Sequence, residues 1–162
     1  MKSLKLAAII ENLDQFISFV HTCSEECGFE GKRAMEIELA VEEALVNIFN
    51  YAYRDGEGQV EMQCALKEGK KFVIEIRDKG IPFDGLSRPD PDTTADIENR
   101  EIGGLGIFFI KKVADEVRYS RNGDMNVLTI VFLVQGVVRG TALHLPYRSY
   151  QSYVTFKNKE TL

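Results

Sequence analysis

The chain has 162 residues, 44% of them hydrophobic and 28% charged, and a formal net charge of −5. That length suits one domain around one core rather than two of ordinary size, and no apolar run approaches the roughly 20 residues that span a bilayer. Lys and Arg cluster no further than pairs, which argues against direct nucleic-acid binding and for a small ligand or a protein partner.

The opening MKSLKLAAII turns charged and polar at residues 11–14. It is too short for a secretory signal, so a cytoplasmic protein is expected. Residues 3–10 are apolar-rich and read as a first strand. Asn12 can cap a helix reaching about Cys27, with Leu13, Phe16, Ile17 and Val20 at core-facing spacing. Gly28 ends it. Cys23, Cys27 and Cys64 make no disulfide framework. The Cys23-x3-Cys27 pair could share a metal, but two half-buried thiols on one helix face is the simpler reading. His21 and His144 have no second likely ligand near them in the chain, so no structural zinc is expected.

A second helix is predicted over 32–53, with Ile37, Ala40, Val41, Ala44, Leu45 and Ile48 on one stripe. Turn chemistry at 55–58 leads to strands at 59–67 and 71–77, joined tightly at Glu68-Gly69. Residues 80–104 hold three prolines and no periodicity, the character of a lid or binding loop. A buried helix at 105–114 and a hairpin of 116–120 with 126–134 around Asn122-Gly123 follow. These elements predict an α/β (α+β) domain over 1–134, a two-layer sandwich of a mixed sheet with helices on one face. The tail 135–162, with Tyr147, Tyr150, Tyr153 and Phe156 recurring every three residues, is a separate segment without an assigned role.

Three islands carry chemistry. Glu43-Ala-Leu-Val-Asn47 stacks a carboxylate and an amide one helical turn apart. An amide oxygen suits Mg²⁺, and a nearby Glu can order water or take a proton, although most such pairs are solvated helix faces. Asp78-Lys-Gly80-Ile-Pro82-Phe-Asp84 closes a buried strand. A carboxylate there can accept a hydrogen bond from an exocyclic amine, and Gly80 lets backbone approach a flat ring; an ordinary turn would look similar. Gly103-Gly104-Leu105-Gly106 opens a helix, where free backbone N–H groups and the helix dipole attract anions.

Taken together, the order E-x3-N helix, strand ending in D-x-G, long lid and glycine loop resembles the histidine-kinase-like (GHKL, Bergerat-fold) ATPases from about Leu4 to Val134. LAVEEALVNIFNYAY, IRDKGIPFD, GGLGIFFIKKVADEVRY and NVLTIVF look like the small bacterial anti-sigma factor serine kinases, and Pro82 matches that branch. The resemblance implies ATP and Mg²⁺ as ligands and a STAS-type anti-anti-sigma protein as the phosphorylated partner. It leaves room for a sigma factor as a second partner and for a homodimer. It implies Glu43 as general base, Asn47 as Mg²⁺ ligand, Asp78 and Gly80 at the adenine, Gly103, Gly104, Leu105 and Gly106 around the phosphates, and Thr129 supporting Asp78 through water. Relatives often carry a basic residue just before the glycine loop; Ile102 stands there, with Arg100 two residues earlier as the candidate for the terminal phosphate. Tyr51 stands where many relatives have a His. A non-catalytic module gated by ATP is the alternative that Ile102 favours.

Overall fold

Residues 1–53, 58–87 and 105–134 are described by the structure, a computed structural model. Along them run β1 (Lys2–Ala7), α1 (Leu13–Glu26), α2 (Gly31–Tyr51), β2 (Gln59–Lys67), β3 (Lys71–Asp78), α3 (Leu105–Val113), β4 (Glu116–Asn122) and β5 (Met125–Leu133). Short 3₁₀ turns lie at Ile10–Asn12 and Gly85–Ser87. The first strand is shorter than the 3–10 expected, because the chain turns into that 3₁₀ segment before α1. The tail 135–162 lies outside the described residues.

The strands form one five-stranded sheet in the order β1-β2-β3-β5-β4. Every neighbouring pair is antiparallel. The two-layer α/β architecture is as expected, whereas the mixed sheet is corrected to an antiparallel one. An apolar run marks a strand without giving its direction. The crossover from β3 to β4 would make a parallel pair, but β5 folds back and inserts between them.

Period-two alternation decides which face is covered. Val60, Met62 and Cys64 of β2, Phe72, Ile74 and Ile76 of β3, and Ile130 and Phe132 of β5 are buried together with Phe16, Val20, Ile37, Val41, Leu45 and Ile110 of the helices. Each large side chain of this set contributes about 1.5–3 kcal/mol on burial. Phe29, between α1 and α2, packs its ring 5.6 Å from Phe72 and 6.5 Å from Phe132. The intervening residues Glu61, Gln63, Glu75 and Arg77 turn to the other face of the sheet, where Arg77 pairs with Glu75 at 2.5 Å.

Local chemistry sets the turns. Glu68 and Gly69 both have positive φ, 54° and 63°, the backbone of the tight hairpin connection whose twist matches its strands. Asn12 stands at the start of α1 but does not cap it in the usual way. Its side chain donates to the Ala7 carbonyl at 2.9 Å and accepts from Gln15 Nε2 at 3.1 Å. Arg33, in the first turn of α2, donates to the Val113 carbonyl and to Asp115 Oδ2, both at 2.6 Å. Its guanidinium lies 5.0 Å from the Phe132 ring centre. Arg33 thereby fastens the far end of α3 to α2 and β5.

The edge strands β1 and β4 are six and seven residues long and carry Lys2 and Lys5, and Arg118 and Arg121, respectively. Cys23, Cys27 and Cys64 are free thiols. Among the described residues no cluster of three or more His, Cys, Asp or Glu could hold a metal ion.

His21 of α1 meets Glu38 of α2 at 2.7 Å and its own helix's Glu25 at 3.3 Å. The hydrogen bond to Glu38, followed by the Glu25 charge, raises the His21 pKa. A raised folded value means the clip stabilises below the ordinary histidine pKa of about 6.5 and is lost as pH rises through the folded value. Melting temperature followed against pH should therefore show the gap between wild type and His21→Gln narrowing from mildly acid to mildly alkaline solution. A gap constant with pH would show that the ring acts only by packing.

Candidate functional site

The sheet and helices separate slightly at the C-terminal end of β3, and Asp78 stands there on the helix-facing side. Only 5% of it is exposed, as for Asn126, its cross-strand partner on β5. Two buried polar residues at this point require satisfied hydrogen bonds. Asp78 Oδ1 accepts from the Gly80 N–H at 2.7 Å and from Asn126 Nδ2 at 2.9 Å. Asn126 Oδ1 accepts from the Tyr119 hydroxyl and from Arg121 Nη1, both at 2.7 Å. Arg121 Nη1 also donates to the Gly80 carbonyl at 2.9 Å, and Asn126 Nδ2 to the Ile81 carbonyl at 3.1 Å.

This network faces a narrow pocket of about 80 Å³ between the end of α2, the start of α3 and the sheet. Asn47, Ile81, Phe83, Ile107 and Leu128 line it beside Asp78. Its walls are mostly apolar, with a few polar groups converging at the Asp78 end, the usual make-up of a small-molecule site. Tyr51, 67% exposed, stands at its rim.

Asn47 projects from α2, and Glu43 lies one turn earlier on that helix. Glu43 faces the first turn of α3: a Cβ added to Gly106 would lie 2.4 Å from its Oε2. Leu105 begins α3 and is partly buried. Gly103, Gly104, Arg100 and Ile102 lie outside the described residues. The structure thus gathers Asn47 and Asp78 at one pocket, with Gly80 packed on Ala52 next to it and Glu43 facing Gly106.

Thr129 is not brought to Asp78. It pairs with Glu75 of β3 and Arg118 of β4. Three residues along β5 from Asn126, it points to the opposite face of the sheet. Asn126, assisted by Tyr119 and Arg121, supports the carboxylate instead. Sequence reasoning missed all three, since only the register of β5 against β3 and β4 brings them together.

Gly80 also answers a packing need. A Cβ there would meet the Cβ and the carbonyl oxygen of Ala52, each at 2.5 Å. Ile81 N–H donates to that same carbonyl at 2.9 Å. The glycine lets the loop after β3 seat on the end of α2, whatever ring lies in the pocket. Gly80→Ala should cost about 1–3 kcal/mol, the usual range for overpacking, seen as a lower urea midpoint at unchanged m value. An unchanged midpoint would show that this contact yields without strain.

Tyr53 ties the loop after β3 to the start of β2. Its hydroxyl donates to the Gln59 carbonyl at 3.0 Å and accepts from the Lys79 N–H at 2.9 Å. Burial above all raises its pKa, with the Asp78 charge adding to that and the Lys79 hydrogen bond opposing it. The hydroxyl therefore keeps its proton and its donor role.

The family model for the histidine kinase-like ATPase domain matches residues 6–132. The chain is 26% identical over 130 residues to the serine-protein kinase RsbW of Bacillus cereus (strain AH820), covering 78% of this chain and 79% of that one. The Bacillus anthracis protein of the same name matches with the same figures. In fold, the chain resembles the RsbU and RsbW domains of Rv1364c from Mycobacterium tuberculosis, with a TM-score of 0.57 at 15% identity. That likeness covers 87% of this chain and 35% of the mycobacterial one.

Proposed function

This chain belongs to the histidine kinase-like ATPase domain family, and from that membership we propose that it binds MgATP and phosphorylates a STAS-type anti-anti-sigma protein on serine or threonine. The observation that carries the reading is Asp78 at the base of a narrow apolar pocket, with Asn47 on the same lining and Glu43 one helical turn away. The name serine-protein kinase, borne by relatives of which 79% is covered, supports the phosphotransfer part.

In this reading Asp78 accepts the exocyclic amine of adenine, and Ile81, Ile107 and Leu128 flank the ring. Asn47 offers its side-chain oxygen to Mg²⁺, an ion that shares its shell with phosphates and so needs few protein ligands. Leu105 and Gly106, continuing from Gly103 and Gly104, bring backbone N–H groups to the phosphates, and Arg100 is the cation proposed for the terminal one. Glu43 takes the proton of the attacking hydroxyl. That hydroxyl oxygen bonds to the γ-phosphorus as the bond from phosphorus to the ADP leaving oxygen breaks. The residues thus position the groups and balance their charge, which is most of what phosphoryl transfer asks of a protein.

A cytoplasmic setting, control of transcription through a sigma factor, and a homodimer belong to the same proposal. Ile102, in the place of a basic residue, favours a second reading, in which ATP shapes a binding surface without being turned over. Incubation with γ-labelled ATP, Mg²⁺ and a panel of STAS-type proteins separates the two. Label on a Ser or Thr is expected; bound ATP without label on any partner selects the module, and no ATP binding overturns both.

A further inference from the structure

We propose that Asn126 sets the base preference of the pocket by limiting how many hydrogen bonds Asp78 can still accept. This deepens the reading of the pocket as an adenine site and rests on it. The orientation of the Asn126 amide follows from its neighbours. Arg121 can only donate, and its Nη1 lies 2.7 Å from Asn126 Oδ1. The amide oxygen therefore faces Arg121 and Tyr119, and the NH₂ group faces Asp78.

That NH₂ donates to Asp78 Oδ1, which already receives the Gly80 N–H. A carboxylate oxygen has about two acceptor positions, so Oδ1 is saturated. Oδ2 takes no hydrogen bond from the described residues. The carboxylate consequently meets a ligand with one oxygen rather than two. Adenine's amino edge needs one such acceptor. Guanine carries its ring N1–H and its 2-amino group side by side and is best met by both oxygens at once, as a guanidinium is met in a bidentate pair.

The lock extends beyond one contact. Arg121 also holds the Gly80 carbonyl at 2.9 Å, and the Tyr119 hydroxyl receives the Phe83 N–H at 3.3 Å. Asn126 is therefore held in one orientation from both sides of the 80–83 segment. Asn126 acts on the base through Asp78 and is a positioning residue.

The test is calorimetric binding of MgATP and MgGTP to the full chain, for wild type and Asn126→Ala, with Asn126→Ser as the variant to use if alanine fails to fold. Removing the amide frees a position on Oδ1, and any water admitted there can give way to a base. The ratio of ATP to GTP affinity is expected to fall at least about tenfold, the worth of one well-made hydrogen bond, chiefly because GTP binding improves. A folded variant with an unchanged ratio, or one that loses both nucleotides equally, overturns the role given to Asn126. Wild-type protein that binds neither nucleotide overturns the adenine reading itself, and the inference with it.

Discussion

Replacing Asp78 with Asn is expected to erase the rise in melting temperature that MgATP gives the wild-type protein. A ligand at a hundred times its Kd stabilises the state it binds by ~2.7 kcal/mol. For a chain of this size that corresponds to a shift of about 5–10 °C. The substitution is nearly isosteric, and Asn can still present an oxygen to the Gly80 N–H and to Asn126 Nδ2, the two donors that the Asp78 side chain receives. What changes is the other atom, an acceptor turned into a donor, which would face the donor amine of adenine. The unliganded variant should therefore melt within about 1 kcal/mol of wild type, as isosteric changes that keep their partners do, while its ATP affinity drops a hundredfold or more. Asn47→Ala should lose only the magnesium-dependent part, so that with ATP and a chelator it matches wild type. A full ATP shift in Asp78→Asn would mean that the base sits elsewhere.

Glu43→Gln is expected to abolish phosphotransfer and leave nucleotide binding in place. Removing a positioned general base costs typically 10²–10⁴-fold in rate, and Gln keeps the length and shape of Glu beside Gly106, where no side chain fits without displacement. Single-turnover transfer to a labelled STAS-type partner, run beside calorimetry, reads both quantities. Loss of ATP binding in this variant would instead give Glu43 a role in holding the glycine loop. Unchanged transfer would leave the hydroxyl to attack without it.

Much of the frame was legible because it is local. The stripe Ile37, Val41, Ala44 and Leu45 announces α2 and its buried side, and all four are buried. The tight Glu68-Gly69 turn needs only two residues, and both take positive φ. The sheet's direction was not legible, since alternation is the same whichever way a strand runs. Nor was the support of Asp78. Asn126 reaches it from 48 positions along the chain, through a register that no segment of sequence specifies by itself. Thr129 and Asn126 sit in one strand with equally polar side chains, and only the parity of their spacing separates the face with the pocket from the face without it. Gly80 was singled out for the approach of a flat ring, whereas the Ala52 backbone it must clear belongs to a helix end that looks unrelated in sequence.

The two edge strands have a consequence for how copies of this chain can meet. An unpaired strand edge is a template for a neighbour's strand, and proteins blunt it with short strands and cationic side chains. β1 does so with Lys2 and Lys5, and β4 with Arg118. Running the sheet of one molecule into the next would set these like charges against each other, which guards a concentrated solution against fibrous aggregation. For the described residues, self-association is therefore better served by side chains than by a shared backbone ladder, and so can be separated from misassembly by point substitution.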